Sequence, residues 1–275
     1  MRTPNLFIIG AQKSGTTYLA NVLARHPDVF FCSPKEPLFF SKPEIDQSRY
    51  ERYLETNFAD ARDEKWVGEG STTYLQWPRA LKNLKSFIPD TPKIIVCMRH
   101  PTEKAVSFYI HNWRRGRYAR DIRIGDTAAM PVSLSSTKTS CYASSLTRWL
   151  DAYPREAFCF LKFDQLRDDP AGFVRKATAF LEIPERETVL RKTVNAGFSL
   201  TWRGDSLVID DPDAPPEGRP EFTRTELEDI HALMQEDIAE TERLTGLDLD
   251  EWRKFPAFAA TDRQSVETAT FPMNR

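Results

Sequence analysis

Short apolar runs alternate with amphipathic segments along most of the chain, and this alternation is its strongest structural signal. Three of the runs are continuous, as expected for parallel strands that are buried on both faces of a sheet. We predict strands at residues 5–10, 29–31, 66–69, 93–98 and 158–163. Apolar positions spaced by three and four residues predict a helix after Gly15 and further helices at 102–115, 142–152, 171–181 and 224–245.

Strands and helices that alternate in this order predict a three-layer α/β fold with a mostly parallel central sheet flanked by helices. The chain has 275 residues, which is enough to bury a large core in one domain. We assign that domain to residues 1–258. Residues 259–275 form a polar C-terminal tail.

Two segments interrupt the alternation. Residues 114–140 are polar and contain five arginines, followed by serines and threonines. Residues 205–220 contain four aspartates and several prolines, which we expect to prevent any regular element there. Long loops in an α/β domain often cover a substrate, so both segments are predicted lid or substrate loops.

Composition and charge exclude several classes of protein. Apolar residues make up 40% of the chain and the net charge is −2, so no overall field favours nucleic acid. No apolar run is long enough for a signal peptide or a membrane span, and we therefore expect a soluble, cytoplasmic protein. The four cysteines lack metal-site spacing, and Cys97 and Cys159 read as buried thiols within strands.

The stretch LFIIGAQKSGTTYL, residues 6–19, predicts a loop that binds phosphate. Gly10 and Gly15 have the spacing of a P-loop and lie between a strand and a helix, where backbone N–H groups form an anion site. A nucleoside triphosphate loop would continue with Gly-Lys-Ser/Thr, but here Thr16 and Thr17 follow the glycine. The lysine is instead Lys13, inside the loop. The fold is therefore P-loop-like with a displaced lysine.

The displaced lysine favours a donor other than ATP. Triphosphate enzymes neutralise a polyphosphate tail with Mg²⁺ as well as lysine. A sulfuryl donor carries less charge at the transferred group and can react without a metal. Lys13 is placed to stabilise the charge that grows on the oxygen between phosphorus and sulfur as that bond breaks.

A second candidate site lies in KIIVCMRHPTEKAVSFY, residues 93–109. A buried strand places Arg99 at its carboxyl end, where open α/β sheets bind ligands. Pro101 begins a helix, and Ser107 lies on that helix. A guanidinium group and a hydroxyl group in this arrangement can hold one phosphate from two sides.

A third candidate site is SPKEPLFF, residues 33–40, after the second predicted strand. Glu36 beside aromatic residues is a candidate general base, because partial burial moves a carboxylate toward a useful proton affinity. The alternative is that Lys35 and Glu36 form a surface ion pair over a core made by Phe39 and Phe40.

These motifs together resemble the PAPS-dependent sulfotransferases, where PAPS is 3′-phosphoadenosine 5′-phosphosulfate. IIGAQKSGTTYLANVL resembles their 5′-phosphosulfate loop, and Arg99 with Ser107 resembles their 3′-phosphate site. KEPLFF is similar to the K-E-x-H-F-F stretch of the heparan sulfate sulfotransferase-like branch, except that Leu38 replaces the histidine. GEGSTTYL resembles a segment that this branch places beside donor and acceptor. The resemblance extends over most of residues 6–252.

The resemblance implies a role for each candidate residue. Lys13, Ser14, Gly15, Thr16 and Thr17 would hold the phosphosulfate, with Lys13 also catalytic. Arg99 and Ser107 would hold the 3′-phosphate, Glu36 would act as the base, and Lys35 would assist near the sulfate. Arg203 is a further candidate for contact with the donor, although a solvated loop arginine is an equal alternative. His111 is the second candidate for the base.

The sequence thus predicts an enzyme that transfers a sulfuryl group from PAPS to a hydroxyl or amine and releases PAP, without a metal. The acceptor class stays open among small molecules, saccharides and lipid-linked compounds, and the sequence carries no signal for an oligomeric state. Two alternatives remain. One is a small-molecule kinase that uses ATP and Mg²⁺, and the other is a non-catalytic protein that binds 3′-phosphonucleotides.

Overall fold

A five-stranded parallel sheet forms the centre of the protein in a computed structural model, which describes residues 1–186, 199–210 and 219–258. Its strands run in the order β2-β3-β1-β4-β5, and every neighbouring pair is parallel. All five predicted strands are confirmed, with small shifts at their ends. The strands are β1 (Leu6–Gly10), β2 (Val29–Phe31), β3 (Trp66–Glu69), β4 (Lys93–Met98) and β5 (Phe158–Lys162).

Ten α-helices are found in the described ranges, four of which the sequence pattern did not predict. Those four are α2, which Asp46 caps by accepting the N–H of Arg49, α3, which begins at Pro78, and the short helices α6 and α10. The helix predicted at 224–245 is interrupted at Met234 and forms two helices. The helices are α1 (Thr16–Leu23), α2 (Gln47–Phe58), α3 (Pro78–Phe87), α4 (Pro101–Arg114), α5 (Ala143–Ala152), α6 (Phe163–Asp168), α7 (Pro170–Phe180), α8 (Arg224–Leu233), α9 (Gln235–Thr245) and α10 (Asp250–Arg253).

The sheet separates two hydrophobic cores, as its alternating side chains require. Leu6 and Ile8 of β1 face a core that includes α1 and α7. Phe7 and Ile9 face a larger core on the other side, which includes α2, α3 and α5. Helices therefore cover both faces of the sheet, and the predicted three-layer architecture is confirmed.

A second sheet corrects the expectation for residues 205–220. Three antiparallel strands, β6 (Ser199–Arg203), β7 (Ser206–Asp210) and β8 (Glu221–Thr223), lie in order along the chain. A turn at Gly204, whose φ is 60°, joins the first two strands, and Leu207 and Ile209 alternate into the core. The aspartates and prolines thus do not prevent a strand. Residues 211–218 and the tail at 259–275 lie outside the described residues.

The polar segment at 114–140 is irregular, as predicted, but it is packed against the domain. Its only regular element among the described residues is a short 3-10 helix at Gly125–Ala129. The Tyr118 hydroxyl donates to the carbonyl of Leu134 at 2.6 Å, and the buried ammonium of Lys104 donates to the carbonyl of Thr139. A lid or substrate role for this segment stays a prediction.

All four cysteines are free thiols, and burial raises the pKa of Cys97 and Cys159. Over the described ranges, no helix combines the length and the apolar character that crossing a membrane would require.

Candidate functional site

The candidate residues converge at the carboxyl edge of the parallel sheet. Lys13 follows β1, Lys35 follows β2 and Arg99 follows β4. From β1 the chain first builds β2 and β3 on one side and then β4 and β5 on the other. Open α/β sheets bind ligands in the crevice that such a reversal leaves at the carboxyl ends of the strands.

Two glycines shape the loop between β1 and α1. A Cβ atom on Gly10 would lie 2.9 Å from the Cβ of Leu75. Gly15 has a φ of 82°, and a Cβ there would lie 2.6 Å from Leu166. Both positions therefore require glycine. Close packing requires it at Gly10, and close packing together with a left-handed backbone requires it at Gly15.

The loop ends at a helix N-terminus that attracts anions. No side chain caps α1, so its first N–H groups are left for a ligand. Lys13 lies in this loop with a left-handed φ of 65°. Burial lowers the pKa of Lys13, and the positive charges of Arg99, Arg114 and Arg115 lower it further. These cations converge on one place, and a bound anion would relieve their repulsion.

Arg99 and Ser107 lie on the side of β4. The N–H of Arg99 donates to the hydroxyl of Tyr142 at 3.0 Å, and that hydroxyl donates back to the Arg99 carbonyl at 2.7 Å. Nε of Arg99 donates to Glu103 at 2.9 Å. Glu103, buried Ser107 and His111 follow at four-residue spacing on one face of α4. The backbone of Arg99 is thus fixed, and its Nη groups make no hydrogen bond to other described residues.

One aromatic ring links the two halves of the predicted donor site. The guanidinium of Arg99 lies over the ring of Phe163, 4.8 Å from its centroid. The same ring would be 3.1 Å from a Cβ on Gly15. The first residue of α6 therefore packs against both the loop and the arginine.

Lys35 connects the loop after β2 with the loop after β1. Its ammonium lies 3.1 Å from the hydroxyl of Thr16 and 3.5 Å from that of Thr17. It also donates to Glu36 at 3.1 Å. A single cation thus contacts the predicted phosphosulfate loop and the candidate base.

Gly70 makes this connection possible. Strand β3 lies between β2 and β1, so the Lys35 side chain must cross the end of β3 to reach Thr16. A Cβ atom on Gly70, the residue after β3, would lie 3.0 Å from Cε of Lys35. The glycine leaves the path of the lysine side chain open.

The predicted ion pair between Lys35 and Glu36 is present, and the aromatic core that it was expected to cover is also there. Phe39 and Phe40 are buried, and Phe39 stacks on Tyr53 with centroids 4.2 Å apart. The pair is therefore compatible with both interpretations of Glu36. Its contacts with the threonines of the loop place it beside the candidate donor site.

The histidines differ in their surroundings. His26, His100 and His231 are buried, and each has a nitrogen near a backbone carbonyl oxygen. His111 is half-buried, and burial with the charges of Lys13 and Arg115 lowers its pKa to about 4. It is neutral near pH 7, so it stays a candidate for the base beside Glu36.

The remaining predicted basic residues are dispersed. Arg203 is exposed at the end of β6, and within the described residues no hydrogen bond or ion pair joins its side chain to the loop after β1. Arg123 pairs with Glu226 of α8 at 2.8 Å. Arg114 and Arg115 lie near Lys13, as the fall in the lysine pKa indicates. Only the first part of the arginine run therefore joins the site.

One residue of the site was missed in the sequence. Glu69 ends β3 with no exposed surface, and neither carboxyl oxygen has a hydrogen-bond partner in the described part of the chain. Burial raises its pKa to about 8; the charge of Glu36 also raises it, while the nearby phenols of Tyr53 and Tyr74 oppose the shift. The signals in the sequence were a carboxylate within an apolar strand and its place in GEGSTTYL, but no role was assigned to the residue itself.

The family was established by comparison with known proteins. The chain matches the sulfotransferase domain over residues 3–241. A crystal structure of a sulfotransferase from Alicyclobacillus acidocaldarius superposes with a TM-score of 0.71 at 26% identity. That match covers 92% of this chain and 100% of the other.

Curated relatives include enzymes named for heparan sulfate. Bifunctional heparan sulfate N-deacetylase/N-sulfotransferase 1 of Caenorhabditis elegans is 29% identical over 71% of this chain. Human heparan sulfate glucosamine 3-O-sulfotransferase 6 is 30% identical over 66% of this chain. The matches span only 24% of the first relative and 52% of the second.

The buried carboxyl group of Glu69 predicts a specific pH dependence of stability. The unfolded chain releases this proton near pH 4.5, whereas the folded protein holds it until about pH 8. Between these values the folded state binds more protons, so Glu69 makes stability fall as the pH rises. Glu69→Gln should stabilise the protein by roughly 2–4 kcal/mol at pH 8 and by little at pH 5.

Urea unfolding at both pH values measures this difference. Glu55→Gln, a change on the exposed side of α2, serves as the matched control and should leave the pH dependence unchanged. A Glu69→Gln protein with the wild-type pH dependence would show that Glu69 is ionised in the folded state.

Proposed function

The chain belongs to the sulfotransferase domain family, and we propose that it transfers a sulfuryl group from PAPS to a hydroxyl or amine of an acceptor. The observation that carries this proposal is the position of Lys35. Its ammonium touches the threonines of the phosphosulfate loop and the carboxylate of Glu36. Donor and base are thereby adjacent, as direct transfer requires.

In the proposed reaction the bond between sulfur and the bridging phosphate oxygen breaks, and its electron pair stays on that oxygen. Lys13 and the N–H groups of the loop, from Lys13 to Thr17, stabilise this charge. A new bond forms between sulfur and the acceptor oxygen or nitrogen. The acceptor proton passes to Glu36, and PAP leaves with the bridging oxygen. Lys35 lies beside the sulfate during the transfer.

We assign the 3′-phosphate of the donor to Arg99 and Ser107. The fixed backbone of Arg99 and its Nη groups, which make no hydrogen bond to other described residues, support a planar, two-pronged contact with a phosphate. Ser107 lies two helical turns along α4 on the same face as Glu103. Glu103 holds Nε and orients the guanidinium group.

The names of the relatives and the exposed side chain of Leu38 together support a proposal for the acceptor. The curated relatives are named for heparan sulfate, which supports a saccharide. Leu38 is exposed beside Glu36, at the position where the heparan sulfate sulfotransferase-like branch has histidine. This exposed apolar side chain supports an acceptor with a less polar group near its nucleophile, such as a small molecule or a lipid-linked saccharide. A turnover assay with PAPS over a panel of such acceptors, read by mass spectrometry, tests the proposal.

Arg99→Ala should weaken binding of 3′,5′-ADP about 30- to 150-fold, because a charged hydrogen-bond pair contributes about 2–3 kcal/mol. Binding of 5′-AMP, which lacks the 3′-phosphate, should change little. Isothermal titration calorimetry measures both. Glu103→Gln is the matched control, since it removes the charge that pairs with Arg99 but keeps the arginine and an oxygen that can accept from its Nε. Equal losses for the two nucleotides would assign Arg99 a structural role.

Glu36→Gln should lower kcat by about 10²- to 10⁴-fold, the usual contribution of a general base. The affinity for PAP should stay close to that of the wild type, because the glutamine keeps the size of the side chain. Steady-state kinetics and calorimetry measure the two quantities. If instead turnover fell only slightly and the melting temperature dropped, the pair with Lys35 would be structural, and His111→Asn would be the next variant.

Because cationic side chains are proposed to neutralise the donor, sulfuryl transfer should persist in excess EDTA. The rate of sulfated-product formation, measured with and without EDTA and with added Mg²⁺, checks this expectation. A strict requirement for Mg²⁺, together with turnover of ATP, would favour the kinase alternative.

A further inference from the structure

Residues 70–72, the segment directly after β3, bind the segment that carries the candidate base. The N–H of Gly70 donates to the carbonyl of Lys35 at 3.1 Å. The hydroxyl of Thr72 donates to Glu36 at 3.1 Å, and the N–H of Leu38 donates to the hydroxyl of Ser71 at 3.0 Å. Each of residues 70–72 thus forms a hydrogen bond with one residue of the segment that carries Glu36. We call residues 70–72 the base clamp.

The base clamp is buried, whereas the base is not. Ser71 and Thr72 are only 1% and 4% exposed, but the side chain of Glu36 is 37% exposed. Leu38 adopts a left-handed φ of 53°, which is unfavourable for a residue of its shape. Surrounding contacts must hold such a backbone, and the hydrogen bond to Ser71 is one of them.

The two carboxyl oxygens of Glu36 are not equivalent. Lys35 and Thr72 both donate to Oε1, each at 3.1 Å. Within the described residues, Oε2 receives no hydrogen bond from the protein. The arrangement leaves Oε2 as the oxygen that can accept a proton from an acceptor.

Lys35 alone cannot keep Glu36 in this orientation. Its ammonium is shared among Glu36 and the hydroxyls of Thr16 and Thr17. A sulfated donor in the loop would bring further oxygens that compete for the same cation. The Thr72 hydroxyl donates to Glu36, and the side chain of Thr72 has restricted rotation about its first bond.

We propose that Thr72 is a positioning residue that fixes Oε1 of Glu36 and so directs Oε2 toward the acceptor, an inference that rests on the proposed function. Thr72 touches neither donor nor acceptor in this scheme. Its hydroxyl stabilises the ionised carboxylate before the reaction. After the proton has moved to Oε2, the same hydroxyl still donates to Oε1.

The test uses Thr72→Val, which keeps the shape of the side chain and removes its hydroxyl. We expect kcat to fall about 10- to 100-fold while the KM for PAPS stays unchanged. The acid limb of the pH–rate profile should move to higher pH, because the ionised carboxylate loses a donor. Thr72→Ser should restore both quantities, since serine keeps the hydroxyl.

Thr73→Val is the matched control, because the hydroxyl of Thr73 lies 3.3 Å from that of Ser41 and does not contact Glu36. It removes the same group from the next residue and should leave kcat and the pH–rate profile unchanged. If Thr72→Val behaved like Thr73→Val in both measurements, the proposal would be overturned. Failure of Thr72→Ser to restore activity would also overturn the proposal.

A second measurement separates this proposal from the proposed function. The titration of the Glu36 carboxyl ¹³C resonance should move to higher pH in Thr72→Val and return with Thr72→Ser, whether or not an acceptor is known. An unchanged titration overturns the positioning role. A chain that transfers no sulfuryl group from PAPS overturns the proposed function, and full turnover by Glu36→Gln overturns the base and the role of Thr72 together.

Discussion

The ammonium group of Lys35 holds the candidate site together. It joins hydroxyls at the start of α1 to the carboxylate of Glu36, across the end of a strand that separates β1 from β2. Two strand spacings are about 10 Å, which is more than a short side chain can span. The connection therefore requires a long side chain at residue 35 and none at residue 70. The order of strands in the sheet explains both.

Around this cation, the site separates charges of opposite sign. Lys13, Arg99 and the start of the arginine run lie at the loop after β1, where burial and then the repulsion of these cations lower the pKa of Lys13. The acidic groups Glu36 and Glu69 lie on the side of β2 and β3, and Glu69 is buried close enough for the charge of Glu36 to raise its pKa. A site with this polarity favours an anionic donor at one end and proton removal from an acceptor at the other.

Features set by local sequence were predictable, and features set by strand order were not. The parallel strands and the loop from Gly10 to Gly15 follow from apolar runs and glycine spacing. The contact between Lys35 and Thr16 depends on which strands are neighbours, so no spacing along the chain reveals it. The strand β7 was missed because aspartates and prolines outweighed an alternating pattern beside the turn at Gly204. Glu69 was missed because the resemblance of GEGSTTYL gave it no role of its own, and its burial depends on packing between strands.

The strand order also determines where the residues of the candidate site lie along the chain. The proposed donor contacts come from two separate segments, residues 10–17 and 99–107, which follow β1 and β4. The base, the base clamp and exposed Leu38 all fall between them, in residues 35–72. With Glu36 as the proposed base, the proposed acceptor side is one contiguous segment framed by the proposed donor segments. Exchange of this segment between relatives, by recombination or in the laboratory, would replace the proposed acceptor side while both halves of the proposed donor site stay in place.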